Sequence, residues 1–106
     1  MWTFAAHSDA LGLNRSLVVT VQHQRLILVR TTAGVFALDD RCPHQEQTFA
    51  DGDVEEHALC CPWHSVKVDL RNGKVLNDMG FRGLRDVPVF AVKEEAGQIL
   101  VELPAS

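Results

Sequence analysis

The chain has 106 residues, of which 46% are hydrophobic and 23% are charged, which predicts a single domain over 1–106 and excludes a multi-domain enzyme. The formal net charge is −4, so a nucleic acid or an anionic membrane is not expected as a partner. The longest apolar stretch, at 87–92, is far shorter than the roughly 20 residues of a membrane-spanning helix. The N-terminal residues carry no secretion signal, which favours a cytoplasmic protein.

Short segments rich in β-branched residues and bounded by turn signals predict an all-β protein with antiparallel strands. At most one turn of helix is expected, at 9–13, because no window of helical length has an apolar stripe with a 3.6-residue period. The first three predicted strands are separated only by short turns and lie at 17–21, 25–31 and 35–38.

A hairpin is predicted in the middle of the chain. Apolar and polar residues alternate over 66–70, and the chain returns at 74–76. Asn72 and Gly73 between them are residues that tolerate the positive φ angles of a tight two-residue turn.

A second hairpin is predicted near the end of the sequence. Its strands, 87–93 and 98–103, flank a charged loop that ends in Gly97. Pro88 cannot donate a hydrogen bond to a strand ladder, so this strand is expected at a sheet edge or beside a bulge.

Metal-ligand candidates are concentrated between the β patterns. Cys42 and His44 form a C-x-H motif, and after sixteen intervening residues Cys61 and His64 form a C-x-x-H motif. Thiolate and imidazole suit zinc, copper and iron–sulfur centres, but zinc sites usually pair like residues at short spacing. Two loops that each supply one Cys and one His can instead place both thiolates on one iron and both imidazoles on the other, as in a [2Fe–2S] centre of mixed ligation.

At these motifs the sequence resembles the Rieske family, in particular the small soluble Rieske-type [2Fe–2S] ferredoxins of bacterial ring-hydroxylating and related oxygenases. The resemblance also covers 35–41 before the first motif, 50–52 after it and 68–73 after the second. It implies the Rieske fold, an antiparallel β-sandwich base with an inserted small cluster-binding subdomain at about 40–79.

The resemblance implies one Rieske-type [2Fe–2S] cluster, with Cys42 and Cys61 on the buried iron and His44 and His64 on the outer iron near solvent. Only Cys61 has the C-x-x-H spacing to the second histidine. Because neighbours on a strand point to opposite faces, Cys60 is predicted to be a small buried residue that is not a ligand.

The function that the resemblance implies is electron transport without catalysis. The carrier would pass single electrons from an NAD(P)H-dependent flavoprotein reductase to a terminal oxygenase of aromatic hydrocarbon catabolism. It would be a monomer that binds both partners transiently. Two alternatives stay open at this point: the small Rieske subunit of an assimilatory nitrite reductase and a zinc-stabilised interaction module.

The sequence departs from the high-potential members of the family. These carry an extra cysteine in each ligand loop and a Ser and a Tyr that donate hydrogen bonds near the cluster, whereas this chain has Gln47, Trp63, Val66 and Val68 there. Fewer donors to sulfur predict a low reduction potential. A third loop near the cluster is implied at 78–83.

An acidic stretch contains the first ligand motif and continues toward the second. Residues 39–56 contain seven acidic side chains and one arginine, a balance of −6. The stretch is interpreted either as an ordinary solvated face or as a patch that steers a basic partner.

Overall fold

The computed structural model describes residues 1–41, 48–50, 52–55, 57–61, 66–77 and 85–103. These residues form eleven strands in antiparallel sheets, which confirms the predicted all-β class. Their helical content is one 3-10 turn at Ser8–Ala10, and no helix in the described ranges is long and apolar enough to span a bilayer. The strands are β1 Trp2–His7, β2 Arg15–Val21, β3 Gln24–Thr31, β4 Gly34–Asp39, β5 Val54–Glu55, β6 Ala58–Cys60, β7 Lys67–Asp69, β8 Val75–Asn77, β9 Val89–Phe90, β10 Val92–Glu95 and β11 Gln98–Glu102.

The described strands form three sheets, with the orders β1-β11-β10, β2-β3-β4-β9 and β5-β6-β7-β8. The sheet that contains β3 lies between the other two, because successive residues of β3 enter different cores. Leu26 and Leu28 pack with residues of the β1-β11-β10 sheet, whereas Ile27 and Val29 pack with residues of the β5–β8 sheet. Burial on both faces explains why this strand has a continuous apolar run instead of an alternating pattern.

The β5–β8 sheet is the part of the fold that adjoins the ligand motifs. It lies within the 40–79 subdomain that the sequence predicts, although the bounds of that subdomain and of the single domain stay predictions. Among the described residues, the buried hydrophobic side chains of its shared core with the middle sheet are Ile27, Val29, Leu38, Phe49, Leu59, Cys61, Val66, Val68, Leu70 and Val87.

The three predicted N-terminal strands are confirmed as β2, β3 and β4. Gln22 and His23 connect the first two with φ angles of 50° and 68°, the backbone of a type I′ turn. The predicted hairpin at 66–76 is confirmed as β7–β8, but the prediction of a two-residue turn is wrong. The Asp69 amide donates to the Lys74 carbonyl, so four residues form the turn, and of these Gly73 has a positive φ, 75°.

The predicted strand at 87–93 is divided in the structure. β9 pairs with β4 at the edge of the middle sheet, and β10 pairs with β11 in another sheet. The position of Pro88 next to this edge strand agrees with the expectation for a residue without an amide proton. Periodicity alone could not show that the chain changes sheets at Ala91.

The sequence pattern missed β1, β5 and β6. In β1 the side chains of Trp2 and Phe4 are 42% and 45% exposed, while the buried position is occupied by the small residue Ala6. This inverts the usual alternation of apolar inside and polar outside. The other two strands have only two and three residues, too few for a periodic signal.

Candidate metal centre

One of the four predicted ligands, Cys61, lies in the described part of the chain, whereas Cys42, His44 and His64 fall outside it. Cys61 directly follows β6 and is 2% exposed. It belongs to the apolar core that also contains Val66. A buried position is what the inner-iron assignment requires of Cys61, but the ligand roles of all four residues stay predictions.

The second ligand motif begins directly after the last paired residue of β6 in the β6–β7 hairpin. β6 and β7 pair antiparallel with Cys60 opposite Lys67. The next amide, that of Cys61, donates to the Val66 carbonyl at 2.8 Å. The ladder therefore extends one step beyond the strands and joins the two ends of the segment that contains His64.

One side chain joins the residues before the first ligand motif to the residues after it. β4 ends at Asp39, and the next residue, Asp40, has a fully buried carboxylate. This carboxylate accepts hydrogen bonds from Thr48 Oγ1 at 2.6 Å and from the Phe49 amide at 2.7 Å, both on the far side of the motif. Arg25 Nε from β3 is a third donor, also at 2.7 Å.

The chain that follows the first motif contacts the chain that precedes the second motif at Gly52. The Gly52 amide donates to the Phe49 carbonyl, and the next residue, Asp53, accepts a hydrogen bond from the Cys60 amide, both at 2.9 Å. The backbones are so close that a Cβ atom at position 52 would lie 2.1 Å from the Cys60 oxygen. The exit of the first motif is thus packed against the entry to the second.

The residues on both sides of the predicted third loop are also joined. That loop, 78–83, lies outside the described residues, but Val87 after it donates to the Gly73 carbonyl at 2.8 Å. Asp39 next to the first motif donates to the Pro88 carbonyl at 2.9 Å. Val87 and Pro88 therefore connect the β7–β8 turn to the end of β4.

Several acids of the 39–56 stretch are paired. Asp39 lies 3.8 Å from Arg41, and Glu55 lies 2.9 Å from Lys67. Asp53 is exposed to solvent. Asp40 is buried against Arg25, and Glu46, Asp51 and Glu56 lie outside the described ranges. The formal balance of −6 therefore overstates the negative charge that a partner would meet.

Cys60 and Cys61 have different environments, and no disulfide joins them. Cys60 is half-buried and belongs to neither apolar core, so the prediction that it is a buried core residue is wrong. Burial and the negative charge of Glu55 raise the pKa of the Cys60 thiol.

The donor set fits a cluster with mixed ligation. A Rieske centre takes two thiolates and two imidazoles, and the two motifs contain that set. The Cys61 thiol lies among apolar side chains, an environment that keeps water away from a cluster. No three His, Cys, Asp or Glu side chains among the described residues form a competing metal site.

Sequence reasoning did not single out Asp40 or Gly52. In the sequence Asp40 is one of two adjacent aspartates and resembles a solvated acid, and no local pattern signals its burial. Gly52 is part of the resemblance to the Rieske family, but its reason, contact with a carbonyl eight residues away, exists only in the folded chain.

A protein-family model described as the Rieske [2Fe–2S] domain matches residues 1–91. The chain is 33% identical over 70 residues to the ferredoxin subunit of 3-phenylpropionate/cinnamic acid dioxygenase from Escherichia coli K12, which covers 65% of this chain and 63% of that protein. It thus spans less than two thirds of the length of the curated relatives that it matches first.

Solved structures share the fold. The ferredoxin of carbazole 1,9a-dioxygenase from Nocardioides aromaticivorans IC177 superposes with a TM-score of 0.82 at 23% identity, over 95% of this chain and 96% of that one. A chain from the complex of reduced oxygenase and oxidized ferredoxin in carbazole 1,9a-dioxygenase superposes with the same TM-score at 19% identity, over 94% and 91%. An iron–sulfur cofactor excludes the zinc-stabilised module. The chain belongs to the Rieske [2Fe–2S] domain family, as its sequence indicated, and it binds one Rieske-type cluster.

Proposed function

We propose that the protein is a soluble cytoplasmic electron carrier, without catalytic activity of its own, for a ring-hydroxylating oxygenase system. It receives single electrons from an NAD(P)H-dependent flavoprotein reductase and passes them to the terminal oxygenase. The observation that carries the proposal is the family membership combined with 33% identity to a dioxygenase ferredoxin subunit. When bound, a cluster of this type takes up one electron and releases it again.

We assign the cluster to Cys42, His44, Cys61 and His64, with the thiolates on the inner iron. The burial of Cys61 supports its inner position. The contact of Gly52 with the carbonyl of residue 60 supports two motifs that act on one group. The chain's contribution is to hold the donors and to exclude water from the thiolate side.

The proposed partners are a reductase and an oxygenase, each bound briefly by a monomer. A carrier that visits two proteins in turn needs small interfaces, of the class below about 1,200 Å² of buried area. One of the structural neighbours comes from a complex of an oxygenase with a ferredoxin, which supports the second partner.

The proposal is tested with the purified protein. It should contain about two iron and two sulfide per chain and, when reduced, give the low average g value of mixed ligation. Stoichiometric zinc in freshly isolated protein would contradict the cluster assignment.

The electron-transfer step is tested by stopped flow, first with candidate flavoprotein reductases and NAD(P)H and then with oxidised terminal oxygenase. Reduction by the first and reoxidation by the second within the turnover time of the system are expected. Reoxidation by the large subunit of a nitrite reductase, with no reaction toward oxygenases, would favour the alternative role.

A further inference from the structure

Asp40 has an unusual set of contacts for an acidic residue. Its carboxylate is 0% exposed and accepts three hydrogen bonds of 2.6 to 2.7 Å. One oxygen receives Arg25 Nε and Thr48 Oγ1, and the other receives the Phe49 amide. Burial of a carboxylate is costly unless it is paired and hydrogen-bonded, and here both oxygens are satisfied.

The acceptor and two of its donors lie on opposite sides of the first ligand motif. Asp40 lies two residues before Cys42, whereas Thr48 and Phe49 lie four and five residues after His44. The network is extended by Thr48 Oγ1, which accepts the Ala50 amide at 3.0 Å. One side chain therefore ties the entry of the motif to its exit.

In the part of the chain that the structure describes, no strand ladder joins the two ends of the first motif. The second motif is closed by the pairing of β6 with β7 and by the bond from the Cys61 amide to Val66. β4, by contrast, pairs with β3 and β9, and within the described residues no backbone hydrogen bond joins 39–41 to 48–50. The carboxylate takes the place that backbone pairing has in the second motif.

We propose that Asp40 is the positioning residue of the first ligand loop: its buried carboxylate, held by Arg25, fixes the loop that carries Cys42 and His44 by binding Thr48 and the Phe49 amide. The inference rests on the proposed assignment of Cys42 and His44 as ligands. Asp40 itself touches no cluster atom in this role.

The substitution Asp40→Asn keeps the size of the side chain but replaces one acceptor oxygen with an amide donor. If that amide faces Arg25 Nε and Thr48 Oγ1, it cannot accept their hydrogen bonds. The connection between residue 40 and residues 48–49 is then weakened. The substitution also removes a negative charge two residues before Cys42 in the sequence and leaves the Arg25 cation without its counter-charge. A nearby positive charge favours the added electron, so the midpoint potential should rise.

The experiment compares the wild-type holoprotein with the Asp40→Asn holoprotein, each in the reduced and in the oxidised state. Cluster loss to a chelator, followed by the visible absorbance, should be about tenfold faster in the variant, because a buried group is left without its partners. The g values of the reduced protein should change and the midpoint potential should shift upward. These spectroscopic and redox readouts do not depend on partner proteins.

A second pair of variants serves if Asp40→Asn does not fold. Thr48→Val removes the hydroxyl that donates to Asp40 and accepts the Ala50 amide, without a change in shape or charge. It should accelerate cluster loss at least about threefold, because a hydrogen bond to a charged group and one from a backbone amide are both lost. Thr48→Ser keeps the hydroxyl and should behave as the wild type.

Asp69→Asn is the matched control. Asp69 is also nearly buried and accepts hydrogen bonds from the Arg71 amide at 2.8 Å and from its guanidinium at 2.9 Å, but this network lies in the β7–β8 turn. The control should lower the free energy of unfolding while its g values and potential stay those of the wild type.

Wild-type g values, potential and cluster lifetime in Asp40→Asn would overturn the inference, as would equal lifetimes in Thr48→Val and Thr48→Ser. Identical changes in Asp69→Asn and Asp40→Asn would also overturn it, because the effect would then be general. A wild-type protein without a Rieske spectrum would instead overturn the proposed function.

Discussion

Gly52 lies directly against the backbone of Cys60. A Cβ atom at position 52 would be 2.1 Å from the Cys60 carbonyl oxygen, a distance that real Cβ contacts do not reach. Cys60 precedes the proposed ligand Cys61, so this contact links the two ligand motifs through atoms that cannot change rotamer. Any side chain at position 52 must displace one of the two backbones.

Gly52→Ala should therefore lower the free energy of unfolding by about 1–3 kcal/mol, the usual cost of overpacking, and reduce cluster content. Urea unfolding followed by far-UV circular dichroism, together with iron analysis, measures both effects. Gly12→Ala is the control, because its nearest neighbour, Arg15 Cγ, would be at an ordinary 3.5 Å. Equal stability and iron content in the two variants would contradict the importance of the contact.

The two adjacent cysteines should respond differently to substitution. Cys61→Ala should abolish the Rieske spectrum, because the buried position of Cys61 is the one proposed for a ligand. Cys60→Ala should leave the spectrum unchanged, since this half-buried residue belongs to neither apolar core. The measurement is the visible and EPR spectrum of each purified variant, and the reverse pattern would show that the ligand register is wrong.

The reduction potential should lie at the low end of the Rieske range, on the order of −150 mV at neutral pH. Val66 and Val68 occupy two of the positions at which high-potential relatives carry groups that aid the cluster, and both are fully buried hydrocarbons without donors. A redox titration followed by circular dichroism measures the midpoint. A value above about +100 mV would contradict the argument, because it requires hydrogen bonds that these side chains cannot make.

The strand pattern predicted the fold class because β2, β3 and β4 are long and rich in β-branched residues. It failed where tertiary contacts decide. The change of sheet at Ala91 depends on the pairing partners of β9 and β10. In β1 the large aromatic side chains are exposed to solvent, so the usual apolar pattern is missing. At the site, ligand types and spacing predicted the motifs, but the burial of Asp40 and the contact of Gly52 depend on distant residues.

The ion pair between Arg30 and Glu94 should make stability depend on pH. Arg30 of β3 donates to both carboxylate oxygens of Glu94 on β10, at 3.0 and 2.9 Å. The hydrogen-bonded Arg30 guanidinium lowers the pKa of Glu94. Because the folded-state pKa lies below the unfolded one, the pair stabilises the fold at neutral pH, and this contribution is lost as the pH falls through the lowered pKa.

Glu94→Gln should therefore cost about 1 kcal/mol at pH 7, a value limited by solvent screening of this partly exposed pair. The difference from the wild type should shrink as the pH is lowered from about 4.3 toward more acidic values. Urea unfolding at a series of pH values measures it. Glu95→Gln is the control, since that side chain is 59% exposed beside Lys93. A difference that stays constant with pH would contradict the assignment.

The rate of electron transfer should depend on salt, but less than the formal charge of the 39–56 segment suggests. The carboxylate of Asp40 is buried, and Glu55 is paired with Lys67. Among the described acids of this segment, the exposed Asp53 is the best candidate to attract a basic partner. Such an attraction acts during encounter and is screened beyond about 10 Å at 0.1 M salt.

Asp53→Asn should lower the second-order rate of reduction by the cognate reductase about twofold at low ionic strength, with convergence on the wild-type rate as salt is added. Stopped-flow reduction across ionic strength measures this. Asp9→Asn is the control, because it removes another exposed acid, within the 3-10 turn and remote in sequence from both ligand motifs. Equal rates for the two variants, or wild-type rates that are flat with salt, would show that the acidic segment is only a solvated face.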